Sequence, residues 1–365
     1  MRRPKGEWHP LHERIVSELR EKMAADVLSD GFVGTEMSLV SEMEVSRVTI
    51  RKAIDLLVAE GVLERRAGVG LFVRRADEVT RKYRFLAGNL LWDAPMQMAG
   101  AIRDKASRIG AELELRDAMC REDLLAREIA SLPESGADGA IILSSHSVPF
   151  RKAVAALAET DYPFVVLDED VSSLKIPCVV ADNFHGGVQA GRCAVEAGHR
   201  EVALLGDFGA DTVRARWKGF CKGCAEAGVK PRKFALSVRN RLGDLEKEVR
   251  ALAFRVLGGK TRPTLLLCSC DAFARYSLLS AETLGLSVPG DLSVIGFDDD
   301  PIARWMRPPL TTVRQDFPSM GLAALDLLVK RCGRLAIENV CQVIPVSLIK
   351  RKSVGEMKTN FSTST

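Results

Sequence analysis

Apolar residues recur at helical spacing through the first fifth of the chain, then gather into short solid runs from about residue 83 onward. Leu11, Ile15, Leu19 and Met23 stand four apart, which predicts an amphipathic helix over 11–23. Thr35 is a candidate N-cap for a second, short helix that turns Leu39, Val40 and Met43 inward. Ser46 is the next cap. Ile50, Ala53, Ile54, Leu57 and Val58 follow it at i, i+3, i+4, i+7 and i+8, the stripe of a helix with one buried face. Gly61 ends that helix. Two apolar runs, 62–63 and 71–73, flank Ala67-Gly68-Val69-Gly70 and predict a hairpin with a flexible tip. Residues 74–82 are almost all polar and read as a linker.

From there strands alternate with helical stretches. Strands are predicted at 85–90, 113–116, 139–143, 164–167, 178–181, 202–205, 234–238, 264–268 and 292–296, with a last one at 342–349. Solid apolar strands between helices imply parallel sheets covered on both faces. So many strands imply two sheets. Residues 357–365 are expected to be a disordered end.

The chain has 365 residues, too many for one typical core. Its net charge is only +4, so any nucleic-acid role has to come from local charge. No apolar run approaches the length of a bilayer span. Residues 1–10 are basic without the apolar stretch of a secretory signal, so a cytoplasmic chain with no membrane role is expected. Nine cysteines without framework spacing are expected to be free thiols.

The chemistry of an enzyme is not visible. Cys221-x-x-Cys224 is a single pair on a helix, and Cys268-x-Cys270 alternates along a strand end. His9, His12, His146, His185 and His199 show no ligand spacing, and His199 falls in a turn. Gly258-Gly259-Lys260-Thr261 lacks the upstream glycine of a phosphate loop and reads as the end of a helix. No metal and no cofactor are expected.

With Ile50, Ala53, Ile54 and Leu57 buried, the helix after Ser46 presents Arg47, Thr49, Arg51 and Lys52 outward, residue types that bond phosphates and base edges. The amide of Ser46 at the helix start could meet a phosphate. Arg65 and Arg66 enter the hairpin and Arg74 and Arg75 leave it, while Gly68 and Gly70 would let its backbone approach a duplex closely. Residues 1–75 hold 13 Lys or Arg and 12 Asp or Glu, a net of +1, so charge alone does not make this a nucleic-acid domain. The order of elements does: helix, helix, capped helix, hairpin.

That order, with Val45-Ser46-Arg47, Thr49-Ile50-Arg51, Glu60-Gly61-Val62-Leu63 and Gly68-Val69-Gly70-Leu71-Phe72-Val73, resembles the GntR-type winged helix-turn-helix over 11–73. The resemblance implies that Ser46, Arg47, Thr49 and Arg51 touch double-stranded DNA and that Gly68 reaches the minor groove. The family's Leu-Pro-Ser-Glu is replaced by Val33-Gly34-Thr35-Glu36, and Met37 stands where an arginine is usual. A common DNA contact is thereby missing, which argues against the family's usual operator.

The remainder resembles the LacI/GalR effector-binding core over 84–350. The pieces that carry it are Asp182-Asn183 with Gly187, Gly191 and Gly198-His199-Arg200; Arg216-Trp217-Lys218-Gly219-Phe220; Val288-Pro289-Gly290-Asp291-Leu292-Ser293-Val294-Ile295-Gly296-Phe297-Asp298-Asp299; and Pro308-Pro309-Leu310-Thr311-Thr312-Val313-Arg314-Gln315-Asp316-Phe317. The implied fold class is α/β: an N-terminal winged helix-turn-helix plus a two-lobed type I periplasmic-binding-protein-like core, with lobe 1 at about 83–182 and 308–337, lobe 2 at about 183–307 and 338–350, and a tail at 351–365. Strand ends would point into the cleft between lobes. There Arg216 would donate a fork to ligand oxygens and Asp298 would accept from vicinal hydroxyls. Asp168, Asp182, Asp271, Thr212 and Gln315 are further candidates, with Asn89 and Trp92 from the first lobe. Asp182 and Asp298 also fit a helix cap or turn, Asp271 fits a helix cap, and Trp92 fits packing.

The pairing is similar to that of the arabinose-responsive repressors. It implies a homodimeric repressor of sugar-utilisation genes in which a small-molecule effector, a sugar or sugar derivative, changes operator affinity through a loosely coupled linker. The alternatives are a cytoplasmic sugar-binding protein or a sugar-acting enzyme with the same cleft fold.

Overall fold

The computed structural model describes residues 11–24, 32–66, 68–73, 81–236, 245–337 and 340–357. The expected segments at 1–10, 74–80, 237–238 and 358–365, and Ala67 at the hairpin tip, lie outside them.

The first domain runs α1 (Leu11–Ala24), β1 (Phe32–Gly34), α2 (Glu36–Met43), α3 (Arg47–Ala59), β2 (Leu63–Arg66) and β3 (Gly70–Val73). The three helices close over Ile15, Leu19, Leu39, Ile50, Ile54 and Leu57, so the helical spacing of these residues is what builds the core. Leu11, at the start of the α1 stripe, stays exposed instead. Thr35 caps α2, accepting from the Ser38 amide while the Ser38 hydroxyl accepts from the Thr35 amide, and Ser46 Oγ caps α3 at the Thr49 amide. Strand β1, too short for a periodic signal, completes an antiparallel sheet in the order β1-β3-β2.

The first lobe contains β4 (Arg81–Ala87), α4 (Asp93–Arg108), β5 (Ala111–Asp117), α5 (Glu122–Ala130), β6 (Gly139–Leu143), α6 (Val148–Ala158), β7 (Phe164–Leu167) and β8 (Cys178–Ala181). The second contains α7 (Asn183–Glu196), β9 (Val202–Gly206), α8 (Asp211–Ala225), β10 (Arg232–Ala235), α9 (Leu245–Leu257), β11 (Leu265–Cys268), α10 (Asp271–Thr283), β12 (Ser293–Asp298) and β13 (Thr311–Arg314). The chain then returns to the first lobe as α11 (Phe317–Cys332) and β14 (Cys341–Ile344), and ends in the second as β15 (Ser347–Ile349). The sheet orders are β14-β8-β7-β6-β4-β5 and β10-β9-β11-β12-β13-β15, parallel throughout except for β15 against β13.

Four expectations change. Arg81 and Lys82, read as linker, begin β4. The segment 308–315, read as first lobe, supplies β13 to the second sheet, and 341–344 belongs to the first sheet. The single strand expected at 342–349 is two strands in different sheets, because Pro345 has no N–H to continue a ladder. Residues 351–357 are not a free tail. Ser353 is buried, donates to Val294 O and accepts from the Thr311 amide, and the Met357 amide donates to Ala197 O.

The winged helix also packs on the core. Ala59 at the end of α3 sits against Gly333, just past α11, where a β-carbon would lie 2.6 Å from that of Ala59. Glu60 beside it is only 6% exposed and takes a hydrogen bond from Arg20, and burial pushes its carboxyl above the ordinary range. Lys105 of α4 pairs with Asp326 of α11 in the same neighbourhood. Residues 74–80 of the expected linker lie outside the described residues, and the two domains touch directly at the end of α3 and of α11.

Candidate DNA-reading face and ligand cleft

Because one stripe of α3 is committed to the core, Arg47, Arg51 and Lys52 are left exposed. They do not point into open solvent as bare charges. Arg51 Nε donates to Glu36 Oε1 at 2.8 Å, and Arg47 Nε lies 3.7 Å from the same oxygen. These arginines hold the Glu36 carboxyl below its usual range, the Arg51 hydrogen bond contributing most. Ser46 is exposed at the helix start, and Thr49 is half-buried with its hydroxyl 2.8 Å from Ser46 Oγ, so that pair is engaged in the cap. Val48, absent from the sequence reading, is exposed between them and offers an apolar contact.

On the hairpin, Arg65 pairs with Asp55 of α3, and Arg66 pairs with Glu64 and stacks 4.2 Å from the Phe72 ring. Gly68 has a φ of +73° with open space around it. Gly70 differs: a β-carbon there would lie 2.6 Å from the Phe32 ring and 2.9 Å from Gly34 O. Packing against β1 thus accounts for Gly70 without any approach to a duplex.

The cleft is bounded by the C-terminal ends of the parallel strands of both sheets. In the second lobe, Arg216 is 5% exposed on α8. Its position follows from glycines that let α7 and α8 touch backbone to backbone, since a β-carbon at Gly187 would collide with the Arg216 carbonyl. The guanidinium stacks 3.7 Å from the Phe297 ring, donates from Nε to Asn183 Oδ1 at 2.7 Å and from Nη1 to Ser269 O, and lies 3.8 Å from Asp298 Oδ1. Much of its fork is thus spent inside the protein rather than held for a ligand. Gln315 Nε2 donates to Asp298 Oδ1 at 2.6 Å. Burial pushes the Asp298 carboxyl well above the usual range, against the pull of Arg216.

Other sequence candidates separate. Asp271 is 0% exposed and fully engaged: Oδ1 accepts from Thr312 Oγ1 at 2.6 Å and Oδ2 from the Asp300 amide at 2.9 Å. Burial raises its carboxyl to about 7, and its two hydrogen bonds tie the start of α10 to β13 and to the turn after β12. Asp182 caps α7 at the His185 amide. Thr212 is buried on α8. Asp300 is raised to about 6, by burial and then by Asp93 of the first lobe, which opposes it.

In the first lobe, Asp168 has a φ of +65°, and its Oδ2 stands 3.4 Å from His146 Nε2. His146 also lies 3.7 Å from Glu169, which accepts from Ser144 Oγ and from Arg151 Nε at 2.5 Å. Arg151 reaches the second lobe at Asp211. Sequence reasoning missed His146, Arg151, Glu169 and Asn183. Ser144-Ser145-His146 does follow a predicted strand directly, which is the signal that was available. Asn89 is partly spent, donating to Cys120 Sγ at 3.2 Å and accepting from the Leu91 amide at 2.8 Å. Trp92 stands 46% exposed at the start of α4. His199 is structural, bonded to Thr264 and to Gly355 O.

Among the described residues, the buried side-chain atoms without a partner include Asp168 Oδ1 and His146 Nδ1 in the first lobe and Gln315 Oε1 in the second. Such atoms are costly unless something supplies a partner.

Comparison with known proteins bears on the two-part fold. Residues 11–73 match the bacterial regulatory proteins of the gntR family, and residues 193–354 match the periplasmic binding protein-like domain. The HTH-type transcriptional repressor PurR of Erwinia tasmaniensis is 33% identical over 233 residues, 62% of this chain and 66% of that protein. The chain thus spans just under two thirds of that relative. The lac repressor dimer bound to operator and the anti-inducer ONPF superposes with a TM-score of 0.66 at 25% identity, over 77% of this chain and 96% of that one. A LacI family transcriptional regulator from Enterococcus faecium with bound ribose shares the fold at a TM-score of 0.64 and 23% identity, over 76% of this chain and all of that one. Among the described residues no helix is long and apolar enough to cross a membrane.

Proposed function

We propose that this chain, which joins a GntR-type helix-turn-helix domain to a periplasmic-binding-protein-like core, is a ligand-controlled transcriptional repressor that acts as a homodimer in the cytoplasm. The observation that carries the ligand half is the pair of unpartnered buried acceptors, Asp168 Oδ1 and Gln315 Oε1, one in each lobe. A small molecule rich in hydroxyls donates to both and draws the lobes together. Trp92 offers an aromatic face for a sugar ring, and Arg216 holds Asp298 and Asn183 in register rather than gripping the ligand with its whole fork. A sugar or sugar derivative is the effector that fits this set, and sugar-utilisation genes are the corresponding targets. The ribose-bound relative supports that reading.

The DNA half is carried by Arg47, Arg51, Lys52, Ser46 and Thr49 on α3, with Arg65 and Gly68 on the wing. Coupling runs through α11. Its N-terminal end follows Gln315 at the cleft, and its C-terminal end meets Ala59 of the reading helix through Gly333. A ligand that binds the two lobe arrangements unequally therefore biases how α3 is held, which is allostery by differential affinity.

The test begins by selecting operator DNA with the full chain and measuring affinity by fluorescence anisotropy. Thermal-shift screening against sugars and nucleosides then finds the effector. Arg47→Ala with Arg51→Ala should abolish operator binding and leave the effector shift intact, and the effector should change operator affinity of the unaltered chain. Normal operator binding by the double variant would remove α3 as the reader.

A further inference from the structure

Outside the reading face and the cleft, one cluster of side chains has chemistry that the proposed function does not use. Cys178 opens β8 and Cys341 opens β14, and the two are direct partners in the parallel register at the edge of the first-lobe sheet. Residues directly paired in a parallel ladder project to the same face, so the two sulfurs are side by side. Asp170, on the loop that leaves β7, brings a carboxylate onto them, with Cys178 Sγ 3.7 Å from Asp170 Oδ1. The two sulfurs and one carboxylate oxygen all lie within 4.8 Å of one another.

That spacing suits a metal. Zinc bonds of about 2.3 Å to sulfur and about 2.0–2.2 Å to oxygen, in tetrahedral geometry, require ligand atoms roughly 3.5–3.8 Å apart. The cluster already has one edge at that length. Cys178 is buried, Cys341 is half-buried and Asp170 is exposed, so the site opens outward and leaves room for water as a fourth ligand. Asp170 is held in place by the Ser172 amide, which donates to Oδ1 at 3.0 Å, the kind of outer support that fixes a ligating carboxylate. The ligands come from three segments far apart in sequence. Their spacing in the chain therefore carries no metal signature, unlike Cys221-x-x-Cys224, where Cys224 is buried in the helix packing.

We propose that Cys178, Cys341 and Asp170 form a three-ligand site for a thiophilic divalent ion of the zinc class. On binding, both thiols lose their protons to solvent and the sulfurs become thiolate ligands. The ion clamps β14, an edge strand, to β8. Strand β14 leads directly into the last of the three passages of the chain between the lobes, so the clamp anchors one of them.

The test uses the full chain, reduced and freed of metal without air. Cobalt(II) titration should give a thiolate-to-cobalt charge-transfer band and the visible bands of a tetrahedral ion, saturating at one ion per chain. Zinc(II) should abolish the bands and raise the thermal midpoint. Cys341→Ser and Cys178→Ser should each lose the charge-transfer band, and Asp170→Asn should weaken it. Circular dichroism checks their folding, and Cys341→Ser, at the less buried position, keeps the test valid if Cys178→Ser fails to fold. Cys221→Ala with Cys224→Ala should keep the band. No thiolate band, a band that survives Cys341→Ser, or one lost with Cys221 and Cys224 would overturn the proposal. So would a Cys178–Cys341 disulfide that persists under reductant and leaves cobalt silent.

Discussion

Arg151 on α6 of the first lobe donates from Nη2 to Asp211 Oδ2 at the start of α8 in the second, at 2.6 Å. The same arginine holds Glu169 and, through it, the His146–Asp168 pair at the cleft wall. This ion pair exists only while the lobes keep this separation, so it weighs on their relative population. Both partners are more than a third exposed, which limits the contribution to about 0.2–1 kcal/mol. Asp211→Ala should accordingly change effector affinity by no more than about fivefold, and the effect should shrink as salt rises. Isothermal titration at two salt concentrations checks this. A hundredfold loss would mean that Asp211 touches the ligand itself.

The buried aspartates of the second lobe make stability depend on pH in an unusual direction. Asp271 is raised from 3.8 to about 7 by burial. Between about pH 4 and pH 7 the folded chain therefore keeps a proton that the unfolded chain has released. Stability is greatest on the acid side of that window and declines as pH rises through it, by at most about 1.4 kcal/mol per pH unit for this group. Asp300, raised to about 6, adds in the same sense. Asp271→Asn can still accept from the Asp300 amide and donate to Thr312 Oγ1, so it should fold and should flatten the decline. Thermal midpoints of both proteins from about pH 5 to pH 8 make the comparison. Parallel curves would show that Asp271 does not carry the dependence.

The alternation of strands and helices was legible because strands covered on both faces are solid apolar runs. Those at 139–143, 164–167 and 178–181 have the bounds the pattern predicts. What escaped is where the physics is not periodic. Thr311-Thr312-Val313-Arg314 is too short and polar to stand out, and Pro345 hides a change of sheet inside one apolar stretch. In the cleft, carboxylates after strands could be picked out, but their partners could not. Asp271 pairs with Thr312 across the second lobe and Arg151 with Asp211 across the two lobes, contacts set by tertiary topology rather than by neighbours in the chain. The docking of Ala59 on Gly333 likewise joins residues whose composition says nothing of each other.

Glu36 holds Arg51 at 2.8 Å and approaches Arg47 at 3.7 Å, so it competes with phosphate for both. Glu36→Gln removes that charge from the reading face. Affinity for non-specific duplex should rise roughly threefold to tenfold at low salt and converge with the unaltered chain as salt screens the difference. Stability should change by less than about 1 kcal/mol, because the pair is largely exposed. Anisotropy titrations across salt decide it, and unchanged affinity at low salt would mean the arginines do not meet phosphate.

The two wing glycines should separate shape from contact. At Gly68 a side chain meets nothing, and the left-handed φ of +73° costs alanine about 1 kcal/mol. At Gly70 the φ of +144° is itself unfavourable, and the β-carbon would meet the Phe32 ring and the Gly34 carbonyl, so β1 must part from β3. Gly68→Ala should therefore leave the domain folded, and any loss of operator affinity beyond its small stability cost would report a crowded wing tip against DNA. Gly70→Ala should lower the thermal midpoint of the winged domain by the equivalent of about 2 kcal/mol or more, with or without DNA. Calorimetry of both variants in the absence of DNA distinguishes the roles. If Gly70→Ala melts like the unaltered chain, the packing of Phe32 on the hairpin is not what requires glycine there.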